Sequence, residues 1–228
     1  MRKFYKKNPN SKFLEDSCET IIDINWKKIK YNRISFINKA LQKFGNIGNY
    51  LEIGIDRSEC FDSIVTKNKT GVDPNPSSNS TFEGTSDDFF KQNKKFFDVI
   101  FIDGKHEFNQ CRNDAMNSLK CLNKNGYILF HDFIPRDWLE EHIPQLQANW
   151  CGDVWKVSIE LSKTKGIDFL VIIADHGVGL LKKKEDNISY HNEYEKLKNL
   201  KFKDFLELNK CIDYVDADFA MNYFDENK

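Results

Sequence analysis

Apolar positions along the chain follow two rhythms. Short, nearly continuous apolar runs occupy 49–55, 70–73, 97–103, 127–130, 169–174 and 178–181. Runs of that length and density predict strands, buried on both faces where the sheet is parallel. Between them, apolar residues return every three or four positions. Ile29, Ile34, Ile37 and Leu41 predict a helix over 26–44, ended by Gly45. Cys60, Phe61 and Ile64 predict one over 57–66. Ala115, Leu119 and Leu122 predict one over 109–122, and Trp155 and Ile159 one over 154–162. A helix over 138–147 is broken around Pro144. Around Phe82 the chain reads as a short strand or loop. A helix follows, with Ser86 as its N-cap and Asp87 and Asp88 in its first turn.

Strands alternating with helices predict an α/β fold: a doubly wound, mainly parallel sheet. Pro74 and Pro76 close the second strand. Asp175-His176-Gly177 is a tight turn, so the last two runs form an antiparallel hairpin. Residues 1–25 are polar and read as an arm or lid, 26–184 as the main domain, and 185–228 as a charged, mostly helical extension.

The strand ends carry the chemistry. In an open α/β sheet, ligands sit at the carboxyl ends of the strands. The first run ends in Glu52-x-Gly54, the second in Asp73, the third in Asp103 with His106 beyond it, the fourth in His131-Asp132. A glycine after the first strand lets backbone approach a ligand, and an acid after the second takes ribose hydroxyls. That layout predicts a nucleoside site.

Composition narrows the class. The 228 residues suit one α/β domain with additions, and a net charge of -1 disfavours a nucleic-acid partner. Six cysteines include no C-x-x-C pair, so they predict reduced, mostly buried thiols in a cytoplasmic protein. No stretch approaches the roughly 20 apolar residues of a membrane span. The basic N-terminus lacks the apolar segment of a secretion signal.

In order and spacing, YLEIGIDRSECF, GVDPNP, FEGTSDDFF, FDVIFIDGKHEFNQCRNDAMNSLKCL, NGYILFHDFIP, GDVWK and DHGVGLL resemble the class I S-adenosylmethionine-dependent methyltransferases. The likeness is nearest to a bacterial branch associated with sugar and surface-glycan pathways, and runs over about 49–181. It implies the Rossmann-like, seven-stranded methyltransferase sheet and S-adenosylmethionine as cofactor. It places Glu52 and Gly54 under the methionine part, Asp73 on the ribose, Ser86 and Asp87 beside adenine, and Asp103 beside the reacting methyl. The acceptor it implies is a small hydroxylated molecule such as a sugar or glycan precursor.

Alcohols need a base or a metal to become nucleophiles. Asp103 with Asp132 is similar to the Mg²⁺ site of catechol-type and macrolide-sugar O-methyltransferases; His106 or His131 either supplies a missing ligand there or acts as a metal-free base. Two departures stand out. Asp56 replaces a second glycine of the first loop, and Phe133 follows the second acid where Asn or Asp is usual. Competing readings are an NAD-dependent oxidoreductase, a non-catalytic nucleoside-binding domain and a nucleic-acid methyltransferase. The first lacks the three-glycine fingerprint, and the last lacks an N-P-P-[YF]-type tetrapeptide.

Other polar residues read as structural. Asp175 and His176 are turn formers, His142 and His191 solvated, and Arg112 and Asp114 members of surface or inter-helix ion pairs. Trp138 and Trp155 read as core or lid. Tyr214, Phe219, Tyr223 and Phe224 in the tail suggest docking onto a second subunit, a homodimer.

Overall fold

The computed structural model describes residues 9–75 and 79–226, so residues 1–8 of the expected arm, and Pro76, lie outside it. Helix α1 (Arg33–Gln42) precedes strand β1 (Tyr50–Ile53), followed by α2 (Glu59–Ser63), β2 (Lys69–Asp73), β3 (Phe82–Glu83), α3 (Ser86–Gln92) and β4 (Phe97–Ile102). Next come α4 (Phe108–Cys121), β5 (Leu122–Phe130), α5 (Trp138–Glu141), α6 (Trp155–Leu161), β6 (Ile167–Ile172) and β7 (Val178–Lys183). The tail holds α7 (Tyr194–Leu197), α8 (Phe202–Leu208), β8 (Tyr214–Val215) and α9 (Ala217–Glu226).

All the described strands form one sheet, ordered β3-β2-β1-β4-β5-β7-β6-β8. Pairing from β3 across to β5 is parallel, whereas β7 is antiparallel to β5 and to β6. The doubly wound sheet with its terminal hairpin is therefore present. It has eight strands and not the expected seven, because Tyr214 and Val215 add a short edge parallel to β6. Two residues are too few to carry a strand signature.

Alternation along each strand divides the core. Leu51, Ile53, Ile100, Ile102, Ile128 and Phe130 pack on the face covered by α4, α6 and α8. Tyr50, Val99, Phe101, Tyr127 and Leu129 pack on the other, beneath α1 and α9.

Local chemistry corrects several boundaries. The single helix expected over 26–44 is split into a 3-10 turn (Trp26–Lys28) and α1. Asn32 is extended, and its side-chain oxygen accepts from Ser35 N, so it starts a new helix. For α3, Thr85 is the N-cap, with Oγ1 accepting from Asp88 N, and Ser86 is the first helical residue. Arg112 does form an inter-helix ion pair, with buried Glu160 at 2.8 Å. Its neighbour Asp114 instead faces Gln110. His142 is buried and not solvated: its ring nitrogens meet Pro144 O at 2.9 Å and Asp16 Oδ2 at 3.1 Å. Burial of a polar ring is tolerated there because both nitrogens are partnered. His191 is half-buried, 3.5 Å from Glu193.

The tail aromatics are spent within the chain. Phe224 is fully buried against Tyr127, ring centroids 5.4 Å apart, and Tyr214 lies in β8. Tyr223 OH faces Asp168 at 3.4 Å, and Phe219 is exposed. The tail thus offers little of the apolar face on which the homodimer expectation stood. Among the described residues no helix is long and apolar enough to cross a membrane, and all six cysteines are free thiols, four of them buried.

Phe224→Ala should cost about 3–5 kcal/mol by denaturant unfolding, while Phe219→Ala stays within about 0.5 kcal/mol. Equal effects would mean that α9 does not seal this core. A second prediction concerns Glu141, which is buried and accepts from Trp155 Nε1 at 3.2 Å. Burial lifts its carboxyl to about 8, against the nearby Lys156 charge and the Trp155 bond. The folded state therefore holds a proton that the unfolded chain releases near 4.5. Stability should fall as pH rises from about 4.5 to about 8, and Glu141→Gln should flatten that slope.

Candidate active site

Sheet order reverses at β1, which pairs with β2 on one side and β4 on the other. A crevice opens where such strands diverge. Gly54 leaves β1 at φ +83°, and a Cβ there would stand 2.2 Å from the Asp103 carbonyl oxygen. Both the dihedral and the close approach demand glycine. Glu52, one residue into the strand, is buried and accepts from Tyr50 OH at 2.5 Å. Burial pushes its carboxyl up to about 7, with the Tyr50 bond opposing.

Asp73 ends β2. Its Oδ2 accepts from Asp56 N at 2.9 Å and its Oδ1 from Asn75 N at 2.7 Å. Asp56 takes a left-handed conformation, φ +39°, where many relatives of this layout have glycine. Its backbone N–H is thereby turned onto Asp73. Ser86 and Asp87 begin α3 on the neighbouring wall, and Gln110 Nε2 donates to Ser86 Oγ at 3.2 Å. Asp114 beside them is buried, which raises its carboxyl to about 6.

Across the crevice, the ends of β4, β5 and β6 converge. Asp103 Oδ1 lies 3.4 Å from His106 Nε2 and 3.3 Å from His131 Nδ1. Asp132 Oδ2 lies 3.1 Å from His131 Nδ1 and 3.3 Å from His106 Nδ1. Both imidazoles are thus wedged between the same two carboxylates. Arg33, from the start of α1, closes the cluster. Its backbone N donates to Asp175 Oδ2 at 3.0 Å, and its Nη1 reaches Asp175 at 3.3 Å and His131 Nε2 at 2.6 Å.

These contacts set the protonation. Burial opposes ionisation of Asp103, yet His131 and His106 outweigh it and hold the carboxyl well below the usual range. Burial also opposes charge on His106; the Asp103 bond and nearby Asp132 outweigh it and raise the ring to about 9. Asp132 and Asp103 favour a proton on His131 in the same way. Arg33 Nη1, a donor only, faces Nε2 at 2.6 Å, so in the neutral ring the proton sits on Nδ1. The remaining contact of His106 is with a backbone carbonyl, Nδ1 to Trp150 O at 2.9 Å. Trp150 also stacks on the His106 ring, centroids 5.2 Å apart.

All the candidate residues line one cavity of about 1260 Å³. Glu52, Gly54, Asp73, Ser86 and Asp87 lie on one side. Asp103, His106, His131 and Asp132 lie toward the other, with Arg33, Gln145, Asn149, Trp150, Asp175 and His176. The cavity is larger than a single nucleoside needs, so it has room for a second ligand.

Residues 34–133 match a family described as a methyltransferase domain. The match spans 100 of the 228 residues, so this stretch is similar to a methyltransferase domain. Its fold is similar to that of the Podospora anserina methyltransferase PaMTH1, solved with S-adenosylhomocysteine bound. The TM-score is 0.53 at 19% identity, over 67% of this chain and 78% of that one. It is also similar to Rv0187 from MTB, solved with a cofactor bound: TM-score 0.52, 13% identity, 69% and 83% covered. A Staphylococcus aureus protein provisionally assigned as a caffeoyl-CoA O-methyltransferase gives 0.51 at 16%, over 76% and 90%. No curated protein sequence matches this chain.

Several cavity residues were not expected from sequence, among them Arg33, Trp150, Asp175 and His176. Arg33 and Trp150 come from segments without strand-end signals. Asp175 and His176 do form the hairpin turn, but they also face the cavity. They follow β6 directly, so the strand-end rule that marks Asp103 would have marked them too.

The donor set does not fit Mg²⁺. Asp103, His131 and Asp132 are close enough to share an ion. Magnesium, however, takes near-octahedral oxygen donors and gives up water reluctantly. Here imidazoles fill the space between the carboxylates. The residue after Asp132 is Phe133, which is buried, stacks on Phe130 and offers no oxygen donor.

Gly54→Ala should break the crevice. We expect a loss of about 2 kcal/mol or more in stability, together with loss of cofactor binding by calorimetric titration. An alanine variant with unchanged melting and binding would show that the two strand ends can separate freely.

Proposed function

We propose that the protein is an S-adenosylmethionine-dependent methyltransferase that methylates a hydroxyl of a small molecule such as a sugar or glycan precursor, with His106 as the base. The observation that carries this is the pair of contacts on His106. Nδ1–H donates to Trp150 O, and Nε2 faces Asp103 Oδ1 at 3.4 Å, so loss of the Nε2 proton leaves that nitrogen as the acceptor at the Asp103 end of the cavity. His131 has no such freedom, because Arg33 occupies its Nε2. It serves to position Asp103 and Asp132.

In this reading S-adenosylmethionine lies along the β1 and β2 ends. Asp73 accepts from the ribose hydroxyls, Gly54 gives the methionine part its close approach, Glu52 lies beneath that part, and Ser86 and Asp87 flank the adenine. Asp103, held ionised by His131 and His106, would complement the positive charge of the sulfonium. The cofactor supplies an activated methyl group. The chain's task is to hold the acceptor oxygen in line at about 3 Å and to take its proton. With a sulfonium bound nearby, imidazolium at His106 would be disfavoured, and the neutral ring that accepts a proton favoured. Gln145, Asn149 and Trp150 offer amides and an indole on the acceptor side, chemistry suited to a hydroxylated ring. No step runs through magnesium.

His106→Ala should lower kcat by about 10²–10⁴-fold while leaving the affinity for S-adenosylhomocysteine nearly intact. Asp73→Ala should do the reverse, losing most cofactor affinity. The tests are single-turnover methyl transfer with hydroxylated sugars as acceptors, and calorimetric titration. Full activity in the His106 variant, or normal cofactor affinity in the Asp73 variant, would contradict the assignment.

A further inference from the structure

Asp132, besides facing His106, belongs to a second donor cluster whose Cys151 and His176 are left unused by methyl transfer through His106. Its carboxylate, the Cys151 sulfur and a ring nitrogen of His176 all lie within 4.8 Å of one another. Cys151 Sγ is 3.9 Å from His176 Nδ1. A sulfur and a nitrogen bound to one tetrahedral zinc, at ~2.3 and ~2.0 Å, stand about 3.5 Å apart. The pair is therefore within about 0.4 Å of a shared-ion spacing.

The three donors come from separate segments, each pinned by backbone bonds. Cys151 N donates to Glu140 O at 2.9 Å. The next residue, Gly152, packs so closely on the His106 carbonyl that a Cβ would stand 1.8 Å away. His176 O accepts from Ile134 N at 2.8 Å. Asp132 and His176 both hold left-handed backbones, φ +65° and +63°, which non-glycine residues seldom adopt. Behind Asp132, His131 Nδ1 at 3.1 Å provides the kind of outer-shell bond that orients a ligating carboxylate.

We propose that Asp132, Cys151 and His176 bind one borderline divalent ion of the Zn²⁺ class, with its fourth position open to the cavity. Asp132 and His176 line that cavity, and Cys151 is buried. Thiolate and imidazole donors select zinc or cobalt over magnesium. On binding, the Cys151 S–H bond breaks, its electron pair forms the metal–sulfur bond, and one proton passes to solvent. Proton abstraction by His106 does not need this ion, and ion binding does not need an acceptor, so failure of either leaves the other standing.

The full chain, reduced and stripped with chelator, is titrated with Co²⁺ as a spectroscopic probe, then with Zn²⁺ in competition. The expected result is one Co²⁺ per chain with a thiolate-to-cobalt charge-transfer band in the near ultraviolet. Zn²⁺ displaces it and excess Mg²⁺ does not. Cys151→Ser should abolish the band and weaken binding by about 100-fold or more. His176→Ala should weaken it to a similar degree, and Cys211→Ser, at an exposed thiol, should change nothing. A band that survives Cys151→Ser or disappears with Cys211→Ser overturns the site, as does cobalt binding without any thiolate band. If Cys151→Ser does not fold, unchanged affinity in His176→Ala overturns it equally.

Discussion

Gly54 and Asp103 meet backbone to backbone, and the rest of the site is built around that contact. A Cβ on Gly54 would stand 2.2 Å from the Asp103 carbonyl oxygen, so β1 and β4 can end side by side only with glycine there. That closeness fixes where the crevice opens. It sets Asp103 opposite Asp73, and it brings the His106 loop over the same cavity. Parallel pairing of β1 with both β2 and β4 supplies the frame, and the apolar layers on its two faces hold it rigid.

The second constraint is electrostatic. Asp103, Asp132 and Asp175 converge in a partly buried space, and like charges there would drive protonation or separation. His106, His131 and Arg33 prevent this by interleaving with the acids. The arrangement explains why His131 is locked and His106 is not. One ring has both nitrogens committed to side chains. The other also faces both carboxylates, Nε2 to Asp103 at 3.4 Å and Nδ1 to Asp132 at 3.3 Å, but it keeps Nδ1 on a backbone carbonyl and lies against an open cavity. It also explains why a hard oxygen-seeking ion suits the cluster poorly, whereas the thiol and imidazole on its far side suit a softer one.

Much of this was legible in the sequence because strand ends are marked twice, by the close of an apolar run and by an acid or histidine just after it. Asp73, Asp103 and His131-Asp132 all carry that double mark, and all line the cavity. Ser86 was read as a cap through the same logic, one residue late, since Thr85 and Ser86 are nearly equivalent caps until Asp88 N is placed. The break before α1 was hidden because Ile29 and Ile34 keep helical spacing across it; Asn32 decides the matter through its own side chain. Arg33, Trp150 and Cys151 were not legible at all as site residues. They reach the cavity or its wall through packing of an N-terminal helix and a loop beyond the sheet, and no local pattern encodes that.

The most direct measurement is a crystal structure with S-adenosylhomocysteine bound. The account predicts the ribose hydroxyls on Asp73 and the sulfur at the Asp103 end of the cavity, with His106 Nε2 facing the space where the methyl group would project. A ribose held elsewhere, or a sulfur walled off from His106, would contradict it.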